Sequence, residues 1–202
     1  VANNEIRVPK QKRSIEKKSA IIKASYDLFC EKGFYKTNTA EVAKAAGVST
    51  GIVYNYFSDK NDILIEVVKL YISRLKDRFN AIVERPIYKE NICLIIEQFI
   101  DVSISSHTMN IEAHNEFLAL SMLERDIQEI FLRFEDTTLE TMRDKLLSAG
   151  FSDVDLFEKI KMSYGIVEHL CHEYIQHNST DEELAKVKTL AVSTITELLK
   201  RT

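Results

Sequence analysis

The chain has 202 residues, 45% of them hydrophobic, with five Gly, two Pro and a net charge of −4. That is enough apolar material for one large or two small domains, and so few helix breakers predict long helices. No run of ~18 apolar residues marks a membrane span, the polar, basic start lacks the apolar stretch of a secretory signal, and three scattered cysteines, Cys30, Cys93 and Cys171, fit reduced, mostly buried thiols of a cytoplasmic protein.

The charge is unevenly spread. Residues 1–60 hold eleven basic and six acidic side chains, an excess of five positive. Residues 61–202 hold sixteen basic and twenty-five acidic, an excess of nine negative. A basic N-terminal module on an acidic body is the asymmetry expected of a nucleic-acid reader with a separate partner domain. Residues 1–14, with Arg7, Pro9, Lys10, Lys12 and Arg13, read either as a basic arm that attracts phosphate without sequence preference or equally as a tail with no role. Ile22, Ser25, Leu28 and Phe29 recur at helical spacing, which predicts a first helix from Ile15 to Lys32, ended by Gly33.

Two short helices follow. Asn38 can cap the first of them, and Glu41, three residues on, completes a capping box. Val42, Ala43 and Ala46 form its apolar stripe. Gly47 stands where a helix end often needs a positive φ, and Val48 pins the turn. Ser49 can cap the next helix, which carries Ile52, Val53, Tyr54, Tyr56 and Phe57. Such a helix is too short to stand alone, and its placement after a Gly-containing turn is the helix-turn-helix pattern.

The run from Ala46 to Lys60, with Gly47, Val48, Ser49, Gly51, Tyr54, Tyr56 and Phe57, resembles the signature of the tetracycline-repressor (TetR) family of bacterial transcriptional regulators. Gly33, Phe34, Thr37, Val42 and Ala43 fit it upstream, so the likeness spans roughly Ile15 to Val68. Asn38 departs from the Ser or Thr usual there, and Ala40 from a frequent basic residue. In the recognition helix, Val48, Val53 and Phe57 are expected to pack inward, and Ser49, Thr50, Gly51, Ile52, Tyr54, Asn55 and Tyr56 to face DNA, together with Asn38 at the preceding cap. Asn55 suits a bidentate bond to adenine and Ile52 a thymine methyl, whereas the tyrosines suit phosphates. The resemblance adds Thr37, Thr39 and Lys60 on the phosphate side.

A fourth helix is predicted from about residue 59 to 85, before Pro86, with Leu64, Val67, Tyr71, Leu75 and Ile82 at 3–4 spacing. The family uses such a helix to link two domains, here 1–60 and 61–202. Five more helices follow: Asn91 to about His107, Asn110 to about Glu124, Asp126 to Ala149, Asp153 to His177, and a last one from the cap Thr180 with Glu183 as a second capping box. The last two are apolar on more than one side, with Leu156, Ile166, Leu170, Leu190 and Leu199 off the main stripes. Doubly apolar helices suit a core on one side and a partner on the other. The resemblance implies a homodimer through these two helices, with Phe157, Gly165, Ala191, Ile195 and Leu198 at the interface.

The expected fold is therefore all-α: an N-terminal three-helix DNA-binding domain and a C-terminal helical domain for ligand binding and dimerisation. Phe99, Ser103, His114, Phe117, Phe131, Phe134 and Tyr164 are candidates for an aromatic pocket taking a small apolar or amphipathic molecule. A filled core accounts for the same residues. His169 and His172, three apart with Glu168, Cys171 and Glu173 nearby, have one metal-ligand spacing, but water-facing or seam positions explain them better. No metal, cofactor or catalytic residue is expected, since no HExxH, phosphate loop or nucleophile–base set occurs. The expected partners are a pseudo-palindromic double-stranded operator, a small molecule and a second copy of the chain, with no membrane. A helical adaptor that has lost DNA binding is the alternative, and retention of Thr50, Gly51, Tyr54, Tyr56 and Lys60 argues against it.

Overall fold

The computed structural model describes residues 12–177 and 180–201, and among these it contains nine α-helices and no strand. They are α1 (Lys12–Lys32), α2 (Thr39–Ala45), α3 (Thr50–Tyr54), α4 (Lys60–Val83), α5 (Ile92–Thr108), α6 (Ile111–Leu123), α7 (Arg125–Ser148), α8 (Leu156–Gln176) and α9 (Asp181–Lys200). Helix α1 starts three residues before Ile15, so Lys12 and Arg13 of the basic arm are helical; Arg7, Pro9 and Lys10 lie outside the described residues. Helix α8 starts later than expected, because Asp155 adopts a left-handed conformation (φ 53°) that an aspartate tolerates better than most side chains. No described helix is long and apolar enough to cross a membrane. Cys171 is buried, but Cys30 is half-buried and Cys93 exposed.

The chain divides into two compact units, Val1–Ser73 with Glu112–Phe131, and Arg74–Ile111 with Leu132–Thr202. The division falls inside α4 rather than at residue 60, and α6 joins the N-terminal helices. Specific bonds hold α6 there. The Phe34 N–H donates to the Glu116 carboxylate (2.9 Å to Oε2), and the Tyr71 hydroxyl bonds His114 Nδ1 at 2.7 Å. Phe117 packs edge-on against Tyr71 with centroids 5.4 Å apart. The core of this unit is built from Ile21, Phe29, Val42, Val53, Phe57, Ile63, Leu64 and Phe117, all essentially inaccessible to water.

In the second unit α5, α8 and α9 pack on one another. Ile92, Ile96 and Ile100 meet a core that includes Leu156, Ile160, Val167 and Leu170 from α8 and Ala191, Ile195 and Leu199 from α9. This revises the expected partner face. Ala191 and Ile195 are 5% and 2% exposed within the single chain, and Leu156, Leu170 and Leu199 are buried with them. The apolar side chains left outside are Met162 on α8 and Val187 and Leu190 on α9. Phe157 and Leu198 are half-buried, and Gly165 is exposed with no atom near the position of an added Cβ. The physical reason is α5, which covers a face of both helices that periodicity alone leaves open.

Candidate nucleic-acid interface

Helix α2 is fixed at its start by the capping box read from the sequence. The Asn38 side chain accepts from the Glu41 N–H at 3.0 Å, and the Glu41 carboxylate accepts from the Asn38 N–H at 2.9 Å. Lys32 donates to the same carboxylate at 2.6 Å, and that bond leads the causes holding Glu41 below its ordinary pKa. The helix ends at Gly47, whose φ of +67° is a conformation that disfavours any Cβ. Val48 N–H reaches back to the Ala43 carbonyl at 3.0 Å and closes the turn. Ser49 then caps α3, its hydroxyl accepting from the Ile52 N–H.

Helix α3 has only five residues, so packing must hold it. Val53 and the following Phe57 supply that anchor and are fully buried, while Val48, expected inside, is half-buried. The opposite side leaves Ser49, Thr50, Gly51, Tyr54 and Asn55 exposed and Ile52 and Tyr56 half-buried. The Tyr56 hydroxyl bonds Ser14 Oγ at 2.8 Å and ties this region to α1. Gly51 has almost nothing near a built Cβ, so a ligand backbone can approach closely there.

Two of the phosphate-side candidates make bonds within the chain. Thr37 is buried, and its hydroxyl donates to the Gly33 carbonyl at 2.8 Å. The Lys60 ammonium donates to the carbonyls of Phe34 (2.9 Å) and Thr37 (3.0 Å) and sits 4.2 Å over the Phe34 ring. Phe34 is thus gripped from both sides, by Glu116 at its N–H and Lys60 at its carbonyl, with Phe29 edge-on to its ring at 5.3 Å. This frame sets where α2 and α3 begin. Glu116 lies 82 residues from Phe34, and no local pattern announces it. Asn38 remains exposed at the cap and Thr39 half-buried beside it; Lys36 and Lys44, absent from the sequence reading, are exposed cations of the same segment.

Residues 21–67 match the profile described as "Bacterial regulatory proteins, tetR family". The chain is a TetR-family transcriptional regulator. Over 177 residues it is 25% identical to the "Fatty acid metabolism regulator protein" of Bacillus subtilis (strain 168), covering 84% of this chain and 88% of that protein. Two solved structures at lower identity share the fold. A TetR transcription regulator from Haloarcula marismortui ATCC 43049 superposes with a TM-score of 0.72 at 19% identity, over 92% of this chain and 98% of that one. The fatty acid degradation regulator FadR from Bacillus halodurans gives 0.64 at 19% identity, over 95% and 96%.

The aromatic residues expected to form one pocket in this TetR-family chain fall into two groups. His114, Phe117 and Phe131 belong to the first unit and gather around Tyr71. Phe99, Ser103, Phe134 and Tyr164 belong to the second, where Phe79 stacks near Phe99 (4.6 Å) and Phe134 (6.0 Å). Of the seven candidates, Phe99 and Tyr164 line a cavity in the second unit, together with side chains such as Leu139, Met142 and Val167. Its free space is about 50 Å³, far below the ~300–1,000 Å³ of a typical ligand pocket. With so little free space, a ligand larger than a few carbons must part the helices around it. Tyr164 supplies one of its few polar groups, and burial, followed by the Glu168 charge, pushes its phenol well above the ordinary range.

Proposed function

We propose that this TetR-family regulator is a dimeric repressor that a small apolar or amphipathic molecule releases from a pseudo-palindromic operator. The observation that carries the DNA-reading part is α3, anchored by Val53 and Phe57 with Thr50, Gly51, Tyr54 and Asn55 turned out to water. In a two-fold dimer two such helices read half-sites about one helical turn, ~34 Å, apart. The surface for a second copy is the apolar remainder on α8 and α9, with Met162, Val187 and Leu190 beside Phe157, Gly165 and Leu198.

The ligand part rests on the cavity of the second unit. Its lining is almost wholly aliphatic and aromatic, with Tyr164 at one side, a chemistry suited to a chain-like or amphipathic molecule. Two of the similar proteins are regulators of fatty acid metabolism and fatty acid degradation, which fits the same class. Because the cavity is almost filled, a ligand must displace its walls. Helix α4 contributes residues to both units, so displacement along it reaches the reader. A ligand shifts operator affinity only by its differential affinity for the two states, and a 100-fold loss needs about 2.7 kcal/mol of coupling.

The test is a thermal-shift screen of fatty acids, their thioesters and other amphiphiles, followed by operator binding with and without the best compound. A compound of this class is expected to lower operator affinity about 100-fold. Thr138→Leu, which pushes extra carbon toward the cavity, should remove that response and leave operator affinity in the absence of ligand unchanged. Bound ligand with undiminished operator affinity contradicts the switching mechanism.

A further inference from the structure

The sequence spacing pairs His172 with His169, but α8 turns them apart. His169 is exposed, while His172 meets His107 of α5 with the two rings edge to face and their centroids 5.3 Å apart. His107 is buried. Its Nδ1 lies 2.8 Å from the Ser103 carbonyl, and a carbonyl can only accept, so Nδ1 carries a hydrogen and the lone pair of the neutral ring is on Nε2. Nε2 faces Glu168 Oε2 at 3.4 Å. Ligand nitrogens of His107 and His172 lie within 4.8 Å of each other.

His107 of α5 thus meets both an imidazole and a carboxylate of α8, which stand four apart on one face of that helix. Two donor atoms bound ~2.0–2.1 Å from a tetrahedral ion sit about 3.3 Å apart, which is close to the separation of His107 Nε2 and Glu168 Oε2. The bond from His107 Nδ1–H to a backbone carbonyl is the outer contact that orients a metal-bound imidazole. Glu168 is 30% exposed, and with His172 half-buried it gives an ion a way in from solvent.

We propose that His107, Glu168 and His172 form a binding site for a divalent transition ion of the zinc class in the second unit. Two nitrogens and one carboxylate oxygen suit such an ion better than magnesium or calcium, which favour all-oxygen sets. Three protein ligands leave a coordination position for water or a ligand.

The experiment is titration of chelator-treated, full-length protein with Co²⁺, followed by visible absorption, with Zn²⁺ as competitor. The expected result is one Co²⁺ per chain with the intense visible bands of a four- or five-coordinate ion, displaced by Zn²⁺. His107→Gln and His172→Gln should each weaken binding at least about tenfold, and His169→Gln should leave it within about twofold. His172 is half-buried, so its variant serves even where His107→Gln disturbs the core. Absence of a visible band in wild type, equal Co²⁺ affinity in wild type and His172→Gln, or the same loss in His169→Gln overturns the proposal.

Discussion

Ile195→Asp is expected to unfold the second unit, whereas Leu190→Asp is expected to leave the chain folded and split the proposed dimer. The two residues sit five apart on α9 and look alike in the sequence. Ile195 is 2% exposed and meets the α5–α8–α9 core, while Leu190 is 65% exposed. A carboxylate forced into that core without a partner costs about 4 kcal/mol or more, a large part of the ~5–15 kcal/mol that holds a domain together. At Leu190 the change to monomer stability is within about 0.5 kcal/mol, but a charge falls in the middle of the remaining apolar face. Thermal unfolding at several protein concentrations separates the two effects. Wild-type Tm should rise with concentration, as expected when folding is linked to dimerisation, and Tm of Leu190→Asp should not. Light scattering should give a monomer for Leu190→Asp, and its operator affinity should fall with the lost second reader. A folded, monomeric Ile195→Asp contradicts the packing described for α9.

Glu116→Ala should weaken operator binding without touching the DNA-facing side chains. Its carboxylate is the charged acceptor for the Phe34 N–H, at 2.9 and 3.0 Å. Hydrogen bonds to charged groups contribute about 1.5–3 kcal/mol, and the Phe34 segment sets where α2 and α3 begin. The expected loss of stability is therefore about 2 kcal/mol, with about half retained in Glu116→Gln, which keeps an acceptor oxygen but no charge. Tm and operator affinity should fall together. Unchanged values in Glu116→Ala show that Lys60 and the Phe29 contact suffice to hold Phe34.

What was legible in the sequence was local. Asn38 with Glu41, and Thr180 with Glu183, each carry their capping partner three residues away, and both boxes form as read. Gly47 marks a turn because the backbone conformation there is one that side chains avoid. What was not legible depends on residues distant in the chain. The hydrogen bonds that Lys60 donates to the carbonyls of Phe34 and Thr37 cross 26 and 23 positions, and no local pattern announces them. Phe131 and Phe134 are three residues apart on α7, yet they fall in different units. The His107–His172 contact joins residues 65 positions apart, and no spacing within α8 announces it. The second apolar side of α8 and α9 is narrower than periodicity suggests, because nothing in their own pattern reports that α5 covers them.

The central claim, that α3 reads DNA, is tested most directly by measuring Kd against salt concentration for an operator recovered by genomic pull-down. Wild type and the Tyr54→Ala and Asn55→Ala variants are compared on that operator and on scrambled DNA. Affinity should fall linearly on a log–log plot, by about 0.9 for each phosphate neutralised. Tyr54→Ala should weaken binding to both DNAs. Asn55→Ala should chiefly erode the difference between them, by about 1–3 kcal/mol. Salt-independent binding, or both variants indistinguishable from wild type on both DNAs, contradicts the assignment of α3 as the reader.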